Sequence, residues 1–474
     1  MLSLPSYTRP DLEPEFLPAA VWTRAFRELV ATDGGARPFS FVISRPDGTG
    51  FVHETRVLGA DHPAAALNCR HVERRLKFLL WQKGGSRVQV VGAPELAAQL
   101  AAAYHPSGAR AFDHDFLGQR IYGAPFAVEA AAGLPEQPAE AAGLAVGRNL
   151  DGCRIGFDLG GSDRKAAALI DGRVVYSEEI AWQPYFETDP NYHLEGVHDS
   201  LRRAAAHLPR VDAIGGSAAG IYVNNEVRVA SLFRGVDPDQ FARHIRRMFF
   251  TLQERWHGVP FEVANDGEVT ALAGSMALGE NAVLGVSMGT STAGGYVTPA
   301  GRITSWLNEL CFVPVDYRAD APADEWSGDR GCGVQYFSQQ AVARLADRAG
   351  FAFSPDLPFA RRLELVQEAM AQGDPRAERI FHAIGTFYGH AIAHWAEFYE
   401  IRHLQTLGRV TTGAGGDLIL RRAREVLAQD YPELAGSIRL SMPEEKQRRH
   451  GQAIAAASLP DRRHSVSLPP RTNP

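Results

Sequence analysis

A carboxylate, a glycine pair and a hydroxyl close one apolar run: Ile155-Gly156-Phe157-Asp158-Leu159-Gly160-Gly161-Ser162. After Lys165 a second apolar run, 166–170, turns at Asp171-Gly172 and returns as 173–176. An Asp-Gly pair between two such runs predicts a β-hairpin. Adjacent glycines let backbone N–H groups approach a ligand closely, and amides gathered at a turn suit an anion such as phosphate. Asp158 has the wrong sign for phosphate. A hydrated Mg2+ between the two would resolve this, since Mg2+ takes one or two carboxylates together with phosphate oxygens and water. A hairpin with a structural Gly-Gly accounts for the same residues equally well.

Three further segments carry candidate chemistry. Asn265-Asp266-Gly267-Glu268 follows the strand 259–263 and opens a helix. By itself Asp266 reads as a plain N-cap, for which Asp-Gly-Glu is good chemistry. Gly289-Thr290-Ser291-Thr292-Ala293-Gly294-Gly295 follows the buried-type strand 281–287. Gly413-Ala414-Gly415-Gly416 follows the strand 405–407 and opens a helix over 418–427. One glycine turn is a weak signal, because loops use glycine everywhere. Three at strand ends, with the strand-end pair Asn265-Asp266 between the first two, match the way open α/β sheets bind ligands at the carboxyl ends of their strands.

The elements that must position these residues fall into blocks. Periodicity predicts a helix over 19–30, strands over 39–44 and 51–58 around a Pro46-Asp47-Gly48-Thr49 turn, and a helix over 64–82. Leu67, Val72, Leu76, Leu79 and Leu80 share one broad face of that helix. A strand at 87–91 and an Ala-rich helix at 94–104 complete a β-β-α-β-α module. It echoes the start of the next domain, as a decayed repeat would, and carries no motif with chemistry of its own. Residues 130–144, rich in Ala, Pro, Glu and Gly, read as a linker. The expected organisation is an N-terminal α/β module with linker over 1–150, domains over 151–280 and 281–460, and a disordered tail over 461–474.

Composition bounds the function. The 474 residues are 45% apolar and 22% charged, ordinary for a globular protein of two to four domains. A net charge of −6 argues against a nucleic-acid partner. The four cysteines, Cys69, Cys153, Cys311 and Cys332, lie far apart with no C-x-x-C pair, as in a reduced, cytoplasmic protein. No apolar stretch reaches the length of a membrane span, so a membrane partner is not expected.

Taken together, 153–460 resembles the ROK (repressor, open reading frame, kinase) sugar-kinase family of the actin/hexokinase/Hsp70 superfamily. Asp158-Leu159-Gly160-Gly161-Ser162 looks like its first phosphate motif, Asn265-Asp266-Gly267 like its Asn-Asp-Ala, Met288-Gly289-Thr290-Ser291 like its second phosphate motif, and Gly413-Ala414-Gly415-Gly416 like its adenosine motif, in the family's order. The resemblance implies an α/β fold of two RNase-H-like (actin/hexokinase-type) domains with a central cleft. It also implies ATP- and Mg2+-dependent phosphorylation of a hydroxyl on a sugar or polyol. Asp266 would be the catalytic base, Asn265 would hold a neighbouring hydroxyl, and Asp158 would orient Mg2+ through water. Gly160, Gly161, Ser162, Lys165, Gly289, Thr290 and Ser291 would serve the phosphates, and Gly413, Gly415 and Gly416 the adenosine. A homodimer is the expected assembly.

The pattern breaks at the sugar side. The family's Glu-x-Gly-His segment reads Glu309-Leu310-Cys311-Phe312, with Phe312 where the zinc-binding histidine would stand. Of the family's zinc cysteines only Cys332 remains, Glu325 and Ser327 standing in the other places. One thiolate cannot make a closed four-ligand site, so no zinc is expected. Val334 replaces a second sugar-binding glutamate, with Gln335 beside it. Glu309, Asn308 and Gln335 are the candidates to contact an altered substrate. The alternative expectation is a kinase-like sensor that binds a sugar without turnover. Regulators in the family carry a winged-helix DNA-binding domain ahead of the kinase-like part. The module over 1–150 reads instead as strands and acidic residues, without a helix-turn-helix.

Overall fold

Residues 39–43 are buried without a break, so both faces of their strand are covered, and neighbouring helices supply apolar stripes. The computed structural model describes residues 2–134, 138–140, 147–443 and 445–462. In it Arg37–Ser44 pairs antiparallel with Thr49–Val57, from Arg37 opposite Val57 to Ser44 opposite Gly50. The turn between them is held by Asp47, whose Oδ1 accepts from Thr49 N at 2.9 Å, and by Gly48 at φ +81°. The helix Ala19–Thr32 buries Trp22, Phe26 and Val30, three positions spaced by four on one face.

The chain divides into two compact units. The first comprises Met1–Ala141, Val286–Gly294 and Trp306–Met442; the second comprises Ala142–Gly285, Gly295–Ser305 and Pro443–Pro474. The N-terminal module therefore shares a unit with most of 286–442, where the sequence suggested a separate domain over 1–150. The helix Glu445–Ala457 belongs with the second unit.

In the first unit, the N-terminal module forms a five-stranded sheet in the order Ala127–Ala131, Arg87–Val91, Arg37–Ser44, Thr49–Val57, Ala139–Glu140. Ala139–Glu140 lies inside the expected linker, and the strand Ala127–Ala131, parallel to Arg87–Val91, takes in its first two residues. Its alanines gave no alternating signal; the rest of that stretch lies mainly outside the described residues, as does 464–474 of the expected tail. The module is not a repeat of the next domain. Its first strand has antiparallel neighbours on both sides, whereas Cys153–Leu159 of the second unit has one antiparallel and one parallel neighbour. Two long helices, Pro375–Trp395 and Ala414–Asp430, pack together beside the strand His403–Leu407.

The module is tied to 308–332 by a buried ion cluster. Lys77 Nζ donates to both oxygens of Asp113, at 2.9 and 2.8 Å, and lies 3.1 Å from Asp329. Trp81 Nε1 also donates to Asp113, at 2.9 Å. Arg110 pairs with Asp329 and with Glu73, and Glu73 binds Arg74 at 2.6 Å. Burial works against the charge on Lys77, but Asp113 and Asp329 outweigh it and hold the ammonium above its usual range. Beside the cluster, Phe312 packs among Trp81, Phe112, Phe116 and Trp326.

Removing one member of a buried ion group leaves its partners uncompensated, at a cost of about 3–5 kcal/mol. Lys77→Met is expected to lower unfolding stability by that order, read from urea midpoints. Combining it with Asp113→Asn is expected to recover part of the loss.

Candidate functional site

The second unit is built on a five-stranded sheet in the order Phe261–Asn265, Ala213–Ala218, Cys153–Leu159, Asp163–Ile170, Arg173–Ala181. The first three of these strands are parallel and the last two antiparallel to their neighbours. Register places Asp158, Ser217 and Ala264 in one row near the carboxyl ends of the parallel strands. Lys165 stands opposite Asp158 on the other side. Asn265 closes its strand, and Asp266 begins the helix Asp266–Leu278.

This register fixes the chemistry around Asp158. Ser217 Oγ donates to Asp158 Oδ1 at 2.7 Å, and Lys165 Nζ lies 3.8 Å from Oδ2 and 3.0 Å from Asp163. Gln452, on the helix Glu445–Ala457, donates through Nε2 to Ser217 Oγ at 3.0 Å and to the backbone oxygen of Asp266 at 3.4 Å. That helix sits very close to the sheet. A Cβ at Gly156 would fall 1.9 Å from the carbonyl oxygen of Ala453, and one at Gly215 1.8 Å from that of Ala456. These glycines are register partners, so one side-chain-free row seats the helix that carries Gln452. Sequence reasoning missed Ser217 and Gln452. The Gly215-Gly216-Ser217 run at a strand end was the only signal for the former, and nothing marked the latter.

The capping question at Asp266 resolves in favour of its neighbour. Asn265 is the N-cap: its Oδ1 accepts from Gly267 N at 2.7 Å, while its Nδ2 donates to Gly220 O at 2.6 Å. Asp266 occupies the first helical position, and its Oδ1 has only a 3.0 Å contact from the adjacent Gly267 N. Burial pushes its carboxyl above the usual range. Burial likewise raises Asp158 to about 6, against the lowering effects of Ser217 and Lys165, with Asp266 adding repulsion. Asp266 disfavours the charge on Asp158, and two such carboxyls near strand ends can hold a divalent cation and a proton, one at each.

The Gly160-Gly161 turn is also partly internal. Trp182 Nε1 donates to Gly160 O at 2.7 Å, and a Cβ on Gly161 would meet the Tyr185 hydroxyl at 2.1 Å. Ser162 Oγ donates to Asp163 Oδ2 at 2.8 Å. Asn225 is a buried latch: it donates to Phe261 O and accepts from Val263 N, both at 2.8 Å.

In the first unit, Gly289-Thr290-Ser291 forms a tight turn closed by Gly289 N donating to Ser291 O at 2.9 Å, with Thr290 and Ser291 exposed. Little surrounds a Cβ built at Gly289, so the turn is open on that side, while its N–H is taken up by Ser291 O. Gly413 likewise has open surroundings, at φ +69° before the helix Ala414–Asp430. Gly415 and Gly416 are buried: a Cβ would meet Phe381 at 2.8 Å and Thr411 O at 2.0 Å respectively. Their lack of a side chain thus serves the helix entry, and the outward part of the motif is 412–414.

The sugar-side candidates are turned inward. Asn308 is 1% exposed at φ +49°, accepts through Oδ1 from Tyr399 at 2.8 Å, and donates its N–H to Gln82 O at 2.9 Å. Gln335 donates to Gln340 at 2.6 Å. Glu309 accepts from the Cys311 thiol at 3.5 Å. Cys332 donates to Asp329 at 3.3 Å, and burial together with Asp329 holds its thiol well above the usual range. Among the described residues no group of three or more His, Cys, Asp or Glu side chains is arranged to hold a metal ion. No described helix is long and apolar enough to cross a membrane.

The fold defined by these sheets is of the actin/hexokinase type. Among solved structures, a ROK hexokinase from Thermus thermophilus superposes with a TM-score of 0.50 at 20% identity, over 64% of this chain and 96% of that one. A ROK family glucokinase from Streptomyces griseus, in complex with glucose and AMPPNP, gives 0.47 at 21% identity, over 65% and 98%. A ROK family transcriptional regulator, a homologue of the E. coli MLC protein, gives 0.49 at 19% identity, over 65% and 78%. No protein-family model matches the sequence, and no curated protein is similar to it. At such identities the likeness is one of fold.

The raised Asp158 has a sign that can be checked. Its folded value of about 6 lies above the ordinary 3.8, so the unfolded chain loses this proton first as pH rises. The group therefore lowers stability progressively between pH 4 and 6 and costs its full amount above that window. Two units correspond to about 3 kcal/mol at 1.36 kcal/mol each. Asp158→Asn is expected to be more stable than wild type above pH 6 by up to that order and to match it near pH 4, read from urea midpoints across this range.

Proposed function

We propose that this protein transfers the γ-phosphoryl group of ATP, with Mg2+, to a hydroxyl of a sugar or sugar-like polyol. One observation carries the reading: Asp266 stands at a helix start beyond a parallel strand, freed from capping by Asn265, with its carboxyl raised by burial and Asp158 nearby. A buried carboxyl with a raised pKa is a stronger base than an ordinary one, suited to take a proton from an attacking hydroxyl. Phosphoryl transfer otherwise asks mainly for positioning and charge stabilisation.

Asp158 fits a hydrated Mg2+: its carboxylate is ordered by Ser217 and its burial beside Asp266 leaves a negative charge to be offset. When bound, the cation screens phosphate oxygens and draws Asp158 toward its ionised form. Lys165 is held beside Asp158 and Asp163, where it can turn toward a phosphate. The exposed turn at Thr290 and Ser291 suits terminal phosphates; 412–414, at a helix N-terminus, suits the nucleoside side. Asn265 keeps one N–H beyond its two backbone bonds for a substrate hydroxyl. The cytoplasm, where Mg-ATP is abundant, is the compartment this chemistry suits.

A second reading, a sensor that binds a sugar without turnover, is favoured by the inward engagement of Asn308 and Gln335. One assay separates the two. ADP release from Mg-ATP is measured across sugars, amino sugars and cyclitols. Turnover with at least one of them, falling about 10²–10⁴-fold in Asp266→Asn with nucleotide binding retained, is the expected result. Sugar binding without ADP release would establish the sensor instead.

A further inference from the structure

Where the N-terminal module meets 316–330 within the first unit, a groove of about 330 Å³ opens to the surface. Arg70, Arg74, Arg110, Arg318 and Arg330 line it. Three carboxylates share the same walls, so the lining has an excess of two positive charges. The pairing shows where that excess sits. Arg74 and Arg110 divide Glu73 and Asp329 between them, and Arg318 is matched by Asp316 at 2.8 Å and by Glu13 at 2.6 Å.

Among the described residues, Arg70 and Arg330 have no such close partner. Arg70 is half-buried and lies over the Trp22 ring at 5.9 Å. Burial and the neighbouring Arg74 act against its charge and outweigh the support of Tyr317, Asp316 and Glu73. Arg330 is exposed and donates through Nη1 to Ala321 O at 2.9 Å, leaving the rest of its fork unengaged by any carboxylate. A partly buried cation without an anion is costly, and a bound anion would offset that cost.

We propose that this groove is a binding site for a small phosphate monoester, distinct from the carboxylate pair of the second unit. Arginine forks match phosphate oxygens two at a time, which a rim of unpaired guanidinium groups is built to exploit. The volume lies at the low end for small-molecule sites, about 300–1,000 Å³, and so suits a phosphate on a short polyol or one sugar ring. Both walls contribute, so occupancy would clamp the N-terminal module onto the loop that follows Glu309. The inference does not depend on phosphoryl transfer by Asp266.

The test is calorimetric titration of the full chain with glycerol 3-phosphate, a hexose 6-phosphate, inorganic phosphate, citrate and glycerol. The expected result is binding of the monoesters that weakens with salt, with none for glycerol. Arg70→Gln with Arg330→Gln is expected to weaken it at least tenfold, with circular dichroism and melting unchanged. Arg330→Gln alone, at an exposed position, is expected to weaken it measurably even if the double variant folds poorly. No binding to wild type, or binding unchanged in Arg330→Gln and the double variant, would overturn the assignment. Citrate binding as well as the monoesters would overturn the phosphate class.

Discussion

One ammonium, that of Lys77, is shared by two buried carboxylates that reach it from distant parts of the chain. A cluster of this kind adds little net stability over apolar packing, but it heavily penalises any arrangement that separates its members. Asp113 supplies one carboxylate from the N-terminal module and Asp329 the other from the loop where the ROK resemblance would put zinc ligands. The aromatic group around Phe312 closes the same joint. Hence the N-terminal module is an integral part of the first unit, and the loop after Glu309 is held by it without a thiolate set.

The second unit solves a related problem differently. A carboxylate at a strand end must be kept ordered without being neutralised. Paired glycines at Gly156 and Gly215 admit a helix against the sheet, the helix delivers Gln452, Gln452 orients Ser217, and Ser217 orients Asp158. Each link is an ordinary hydrogen bond or close approach. Their product is an acid whose charge is disfavoured in the absence of a cation and whose geometry is fixed.

The strand–turn–strand at Asp158, the strand before Asn265 and the helix after Gly413 were legible because period-two apolar runs and glycine punctuation are local signals. The N-terminal strands and helices were legible for the same reason. Three things were not. Membership of the N-terminal module in the first unit depends on Lys77, Asp113 and Asp329, whose pairing spans most of the chain. The strand Ala127–Ala131 is mostly alanine and has no alternation to read. Asn308 looked like a polar substrate contact because sequence shows polarity but not burial; Tyr399 and Gln82 account for its amide and backbone. Asn265 and Asp266 were both recognised, but which of them caps the helix is set by backbone geometry that their order leaves open.

The shared ammonium also bears on how the chain is made. Lys77 leaves the ribosome about 250 residues ahead of Asp329, which at roughly 5–20 residues per second is a wait of some tens of seconds. During that interval Lys77 has Asp113 alone, and the aromatic face of Trp81, Phe112 and Phe116 lacks Phe312 and Trp326. The ring cluster of the module is therefore completed only after residues 312–326 have been made.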